Sequence, residues 1–171
     1  MELWDLIDQT GIPLGMVHER GKPIPKGAYH LVVHICVFND KDELLIQKRT
    51  PDRTAWPDQW DVSAAGSVLT QETSRQAAER ELKEEIGIDY CFANEQVYLT
   101  VHGKDWISDW YLIECNCDLQ TLNLQKEEVV EIKWATLESI SMMKKEGQFI
   151  PYHDGFLELL FQMRKKRGAI Q

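Results

Sequence analysis

Residues 80–88, RELKEEIGI, constrain this chain more than any other stretch. Glu81, Glu84 and Glu85 stand three and four residues apart, so one helical face carries all three carboxylates. Like charges at such spacings repel, each close pair costing about 0.2–0.5 kcal/mol. Gly87 reads as the left-handed residue that stops the helix. The cluster then also sits at the negative end of the helix dipole, where anions are disfavoured. A sequence chosen for stability alone would place Lys there. Something positive, supplied from outside the helix, is expected at that spot.

The helix is legible upstream as well. Thr73 and Gln76 have the spacing of a capping box, and Ala77, Ala78, Leu82 and Ile86 form an apolar stripe. Before it, residues 3–20 read as two short strands around the turn signal Gln9-Thr10-Gly11, followed by a Gly/Pro-rich connection. Residues 29–38 have the composition of a buried strand, and residues 43–50 return as a second after Asn39-Asp40-Lys41-Asp42. A loop rich in Pro, Asp and Trp leads into VSAAGSV, a strand ending in small residues. Residues 96–103 and 109–117 read as further strands, EVVEIKWATL as another, and a short helix follows near residues 137–145. HDGFLELLFQMRKKRG predicts a last amphipathic helix, with Arg164, Lys165, Lys166 and Arg167 where the dipole favours cations. Many strands with two or three helices predict a mixed α/β (α+β) layered domain.

With 171 residues the chain supports one well-buried core and reads as a single domain, residues 1–28 an extension and 29–171 the core. A net charge of −9 argues against duplex nucleic acid or an anionic membrane as the main partner, since both need a basic face. An anionic substrate would then need a cation, or a few Arg and Lys, at the site. The N-terminus carries acids and no basic n-region, no window reaches the apolar length of a membrane span, and the four cysteines contain no CxxC pair. Cys115 and Cys117 share one face of a predicted strand and read as plain buried thiols. A cytoplasmic protein is expected.

Widening the window to residues 66–88 gives Gly66, five residues, Glu72, seven residues, then Arg80, Glu81, Leu82, one residue, Glu84, Glu85, one residue, Gly87 and Ile88. This resembles the Nudix box at every specified position. Seven fixed residue types match by chance on the order of once in 10⁸ starting points or more rarely. The residue chemistry leads to the same place, because carboxylates on one face are hard oxygen ligands suited to Mg²⁺ or Mn²⁺. The resemblance implies an α/β/α sandwich with a mixed β-sheet, here extended by an N-terminal β-hairpin. It implies Mg²⁺ as cofactor, Mn²⁺ as substitute, and a small-molecule diphosphate substrate attacked by water. By the same resemblance Glu81, Glu84 and Glu85 hold metal, with Glu81 also able to act as general base. Arg80 holds the glutamates in place, the Gly66 carbonyl approaches a metal, Glu72 supports the loop or binds a secondary ion, and Gly87 is structural.

Outside the box, Glu128 stands where some Nudix enzymes place a further ligand or base, with Glu127 and Glu131 as weaker candidates. Lys48 and Arg49 end a strand near the same sheet edge and are candidate phosphate contacts, with Arg53 a weaker one. Trp56, Trp60, Trp106 and Trp110 surround the expected mouth; packed roles are expected, with one free to stack on a base. His30 and His34 share one strand face and read as structural. The flanks, GAYHLVVHICVFN, LLIQKRT and WPDQWDVSAAG, look like the branch that includes isopentenyl-diphosphate isomerases. Those enzymes carry Cys-Gly-His around the box glycine, whereas here the residues are Ala65, Gly66 and Ser67. Their later E-x-E pair falls near Ile107 and Asp109. Without the thiol, nothing at position 65 moves a proton at carbon. A hydrolase cleaving a diphosphate bond in a nucleoside diphosphate derivative or nucleotide is therefore expected; the alternatives are isomerase-type activity and a non-catalytic nucleotide-binding module. A homodimer is the default assembly.

Overall fold

A computed structural model describes residues 2–153 and 155–165. The chain opens with the expected hairpin, β1 (Leu3–Ile7) and β2 (Pro13–Glu19). Its turn is closed by the Asp8 carboxylate, which accepts from the Thr10 N–H and hydroxyl at 2.7 Å each and from the Ile12 N–H at 3.0 Å. The hairpin is a two-stranded sheet of its own. It joins the core where Thr70 N–H donates to the Leu3 carbonyl, Gln71 N–H to Asp5, and Ile7 and Tyr29 exchange backbone bonds.

The main sheet contains β3 (His30–Phe38), β4 (Leu44–Arg49), β5 (Trp60–Asp61), β6 (Ala64–Ser67), β7 (Leu99–His102), β8 (Trp106–Glu114) and β9 (Val129–Ala135). Its order is β5-β4-β3-β8-β7, with β6 also pairing with β3 and β9 with β4. β3 and β8 run parallel from His30 beside Trp106 to Phe38 beside Glu114, while the other pairs are antiparallel. The sheet is mixed, as expected.

Alternation along β3 divides the core into two layers. Val33, Ile35 and Val37 join Leu45 against Ala77, Ala78, Leu82 and Ile86 of α1 (Ser74–Ile86). Cys36, Phe38, Leu44 and Ile46 face the other way, against Ile140 and Met143 of α2 (Leu137–Lys145) and Leu157 and Leu160 of α3 (Phe156–Met163). Each fully buried Leu or Ile contributes about 1.5–3 kcal/mol, so both faces of the sheet need their helices. This is the expected α/β/α sandwich. The capping box of α1 forms as read: Thr73 Oγ1 accepts from Gln76 N–H, and Gln76 accepts from Thr73 N–H. Gly87 stops the helix at φ 76° with its N–H on the Lys83 carbonyl, in the left-handed region that favours glycine.

Several boundaries move. The strand expected at 96–103 is only β7, and the one expected at 109–117 runs three residues earlier, as β8. A tight turn causes this: Gly103 N–H donates to the Trp106 carbonyl, and a Cβ on Gly103 would overlap the Trp106 ring. After Glu114 a single bond from Cys115 N–H to Phe38 ends the ladder. Cys115 and Cys117 are therefore half-buried and outside the strand, while Cys36 is buried and Cys91 exposed. The two-residue β5 and a 3₁₀ turn at Leu119–Thr121 carry too little pattern to be read in sequence. In the last helix Arg164 and Lys165 pair with Asp42 of the β3–β4 turn, and Lys166 and Arg167 lie outside the described residues.

Candidate active site

The C-terminal end of α1 lies against β6. Gly66 on β6 runs so close to Glu81 that a Cβ there would overlap the carboxylate. Its backbone is not left-handed, so the requirement for glycine is one of space. Behind it, Glu85 is almost fully buried, at 1% exposure. Its Oε2 accepts from Gln47 Nε2 of β4 at 2.9 Å and from the Ala65 N–H of β6 at 3.1 Å. Arg80 is the hub in front. It donates through Nε and Nη2 to the two oxygens of Glu72, both at 2.8 Å, and through Nη1 to Glu81 at 2.7 Å and Glu84 at 3.3 Å. Its Nη2 also donates to the Ser67 carbonyl at 3.0 Å. Glu72 accepts in addition from Leu69 N–H, closing the loop between β6 and α1.

Burial pushes the Glu81 carboxyl above the usual carboxylate range, against the pull of Arg80, and Glu128 and Glu84 push it further. Glu85 lies well above that range, chiefly through burial and then through Glu81, although Gln47 and Ala65 oppose the shift. The Arg80 guanidinium is held more firmly protonated than usual, first by Glu72. Glu128, just before β9, adds its field to both Glu81 and Glu85, and pairs with Arg53 at 2.5 Å. Among the described residues, no three His, Cys, Asp or Glu side chains already converge into a closed cage.

These groups border a cavity of about 830 Å³. Gly66, Arg80, Glu81, Glu84, Arg49 and Glu128 line it, with Arg53 beside them. Glu85 is not on the lining, because it is tucked between α1 and the two strands. Lys48 is also absent from the lining and pairs with Asp58 at 2.8 Å. The β4–β9 register shifts between Lys48 and Arg49, and beyond the shift Arg49 donates to the Ala55 carbonyl at 3.2 Å and pairs with Asp61 at 3.4 Å. The phosphate-contact pair expected at this strand end is thus split. The isomerase-type acidic positions also lie elsewhere: Ile107 is buried, and Asp109 accepts from the hydroxyls of Ser74 and Thr100, off the lining.

Sequence reasoning missed part of the cavity. Asp61 accepts from the Tyr152 hydroxyl at 2.6 Å and from its neighbour's N–H at 2.8 Å, and both Asp61 and Tyr152 line the cavity. Burial, with Asp61 beside it, holds the Tyr152 hydroxyl well above the usual phenol range. His30 and His34, expected to be structural, both face the cavity. His30 stacks on Trp4 with ring centres 4.3 Å apart, and His34 on Trp110 at 4.1 Å and 7° between planes. Burial lowers His34 to about 4, so it is neutral at physiological pH. The shared parity of residues 30, 32 and 34 was the available signal. Of the tryptophans, Trp56, Trp106 and Trp110 line the cavity, while Trp60 is buried against the α2–α3 layer.

Comparison with known proteins identifies the family and the fold. The family model described as the NUDIX domain matches residues 28–160. An uncharacterized Nudix hydrolase of Listeria innocua is 43% identical over 164 residues, 96% of each chain. An isopentenyl-diphosphate delta-isomerase of Gibberella zeae is 27% identical over 167 residues, covering 81% of this chain and 65% of that one. A crystal structure from Deinococcus radiodurans shares the fold, with a TM-score of 0.74 at 20% identity over 94% of this chain and 98% of its own. With the box, the fold and these relatives in agreement, the chain belongs to the Nudix family, hydrolases that act on phosphorus-containing acid anhydrides.

Proposed function

We propose that this protein is a Mg²⁺-dependent hydrolase, Mn²⁺ able to substitute, that cleaves a diphosphate bond in a nucleoside diphosphate derivative or nucleotide. The observation that carries the reading is the close approach of Gly66 to Glu81 at the mouth of a cavity edged by Glu84 and Glu128. The residues fit a divalent cation. All the donors are hard oxygens, burial destabilises the ionised forms of Glu81 and Glu85, Glu81 adds to this at Glu85, and the Gly66 backbone is bare of a side chain. A closed protein cage is not required, because Mg²⁺ keeps waters and substrate phosphate oxygens around one or two carboxylates. Nudix hydrolases generally use a divalent metal.

In this reading Glu81, Glu84, Glu85 and the Gly66 carbonyl hold the metal, with Glu128 facing them. When bound, the ion supplies charge neutralisation on the phosphate oxygens. Glu81 takes the proton of the attacking water on a carboxylate oxygen. The new P–O bond forms as the bridging P–O bond breaks, and the leaving group departs as a phosphate. Arg80 gathers and orients Glu72, Glu81 and Glu84 through four hydrogen bonds and ties them to the Ser67 carbonyl through a fifth. Arg49 and Arg53, on the cavity lining, are the phosphate contacts of this reading, whereas Lys48 serves the loop through Asp58. Among the described residues no cysteine lines the cavity, and Ala65 stands where an isomerase would carry its proton-transferring thiol.

The reading takes residues 1–171 as one Nudix domain with the hairpin as an extension. It excludes duplex nucleic acid as a partner, from the charge of −9, and takes a homodimer as the assembly, which light scattering tests. No helix among the described residues is long and apolar enough to cross a membrane. A cytoplasmic location suits the four unpaired cysteines. The deciding experiment is a screen of nucleotide sugars, dinucleoside polyphosphates, nucleoside triphosphates and coenzymes with Mg²⁺, scored for released phosphate. Turnover abolished by Glu84→Gln supports the reading. Double-bond migration of isopentenyl diphosphate without phosphate release, or no turnover across the whole panel, overturns it.

A further inference from the structure

The open end of the N-terminal hairpin stands on the cavity. Arg20, directly after β2, and Glu2, directly before β1, both line it. The Arg20 N–H donates to the Glu2 carbonyl at 3.1 Å and its Nη1 to the Glu2 carboxylate at 2.6 Å, so the pair continues the hairpin ladder. The hairpin itself is fixed in place. Trp4 is buried with its ring stacked on His30, and the bonds from Thr70, Gln71 and Tyr29 hold β1 to the core. Burial holds the His30 ring below its usual value, and the charges of His18 and Arg20 add to this, which puts Arg20 at the His30 end of β3. Gly66, at the carboxylate wall, pairs with Val33, three residues along the same strand. At about 3.3 Å per residue the two walls stand roughly 10 Å apart, farther than a diphosphate held at the carboxylates extends.

Four arginines line the cavity among the described residues. Arg80 holds Glu72 and Glu81, Arg49 holds Asp61 and Arg53 holds Glu128, in pairs whose side chains are at most 27% exposed. The Arg20–Glu2 pair is 54% and 42% exposed. An ion pair so open to water contributes little to stability, while a guanidinium fork gives paired, charge-assisted bonds to a phosphate or carboxylate. Arg20 is therefore the lining arginine that a ligand releases at least cost.

We infer that Arg20 is a specificity-determining residue that binds a second anionic group, a phosphate or a carboxylate, on the moiety linked to the scissile diphosphate. The inference rests on the hydrolase reading above and adds a substrate class to it, diphosphates that carry a further negative charge at their far end. On binding, the Arg20 guanidinium exchanges the Glu2 carboxylate for the oxygens of the ligand, and Glu2 turns to water. In a protein of charge −9, an anionic group left unpaired at that end would meet a repulsive field, so a single placed cation decides whether it is accepted.

The test measures binding of two matched pairs of probes to the full-length protein by calorimetry, with Ca²⁺ in place of Mg²⁺ to hold turnover back. NADPH differs from NADH by one phosphate, and UDP-glucuronate from UDP-glucose by one carboxylate. Wild type should bind the more charged member at least about fivefold more tightly in one pair or in both. A preference for NADPH alone marks a phosphate site, and one for UDP-glucuronate alone a carboxylate site. Arg20→Gln should bring the ratio to within about twofold of one. Glu2→Gln removes the competing carboxylate and should raise the ratio, whereas a pair that only fastened the hairpin would lower it in both variants. The Glu2 variant also serves if Arg20→Gln fails to fold by thermal melting. No preference in wild type, a preference that survives Arg20→Gln, or one lowered by Glu2→Gln overturns the role of Arg20. The hydrolase reading is scored apart, by phosphate release in the screen above. A protein that prefers the charged probes through Arg20 but cleaves nothing loses that reading and keeps the inference. One that cleaves diphosphates without regard to the far charge does the reverse.

Discussion

Glu85→Gln should make the metal-free protein more stable and the Mg²⁺-bound protein less so. Glu85 is buried beside Glu81, and one of its oxygens receives both available N–H groups. The Oε1 of its partner Gln47 is buried with no hydrogen-bond partner. An amide at position 85 keeps a carbonyl for Gln47 and Ala65, removes the like-charge repulsion, and offers an N–H to that orphan oxygen. Relieving a buried unsatisfied polar group is worth about 1–3 kcal/mol. For a chain of this size each kcal/mol moves Tm by about 2–4 °C, so a gain of about 2–12 °C is expected in chelator at pH 8. The sign of the pH dependence follows from the direction of the shift. The folded-state value of Glu85 is raised above 4.5, so the folded protein holds this proton more tightly than the unfolded chain does, and the ionised carboxylate destabilises the fold at higher pH. That penalty fades as pH falls through the raised value toward 4.5, and the advantage of the variant should fade with it. Mg²⁺ at about 100 times its Kd adds about 2.7 kcal/mol to wild type, a gain the variant should largely lose. Differential scanning calorimetry across pH 5–8, with chelator and with Mg²⁺, shows whether the order of stability inverts. A variant less stable than wild type in chelator at pH 8, or one whose advantage grows on acidification, refutes this account of the buried carboxylate.

Three further outcomes follow from the same geometry. Gly66→Ala forces a methyl group into the Glu81 carboxylate and should cost about 1–3 kcal/mol in a urea titration, with loss of turnover. Arg80→Lys cannot reproduce the paired bonds to both Glu72 oxygens; about 1–3 kcal/mol of stability and most of kcat should go, and an unchanged kcat would show that the glutamates orient themselves. Arg53→Ala frees Glu128 from its ion pair and should raise KM about tenfold without weakening Mg²⁺ binding by calorimetry. Weaker Mg²⁺ binding there would mean that Arg53 positions Glu128 for the metal.

The sequence by itself determined which side chains gather at the end of α1. The register of Arg80, Glu81, Glu84, Glu85 and Gly87 is local: capping, helix spacing and a left-handed stop put them on one helix end, while the packing of α1 on β6 brings Gly66 to Glu81. The composition of residues 29–38 likewise marked a buried strand, and the sheet is covered on both faces there. Only the tertiary structure decided which other groups share the cavity. Asp61 sits on a two-residue strand with no periodicity to read, and it meets Tyr152 ninety-one positions away. Lys48 and Arg49 are neighbours in sequence, yet a register shift sends one to a loop and the other to the cavity. His34 reads like any core histidine until β8 brings Trp110 beneath it, and among the described residues its buried Nδ1 finds no partner. Spacing fixes which side chains share a helix or strand face, whereas meetings between distant segments depend on how strands pair, and a single local shift in that pairing redirects the side chains at its end.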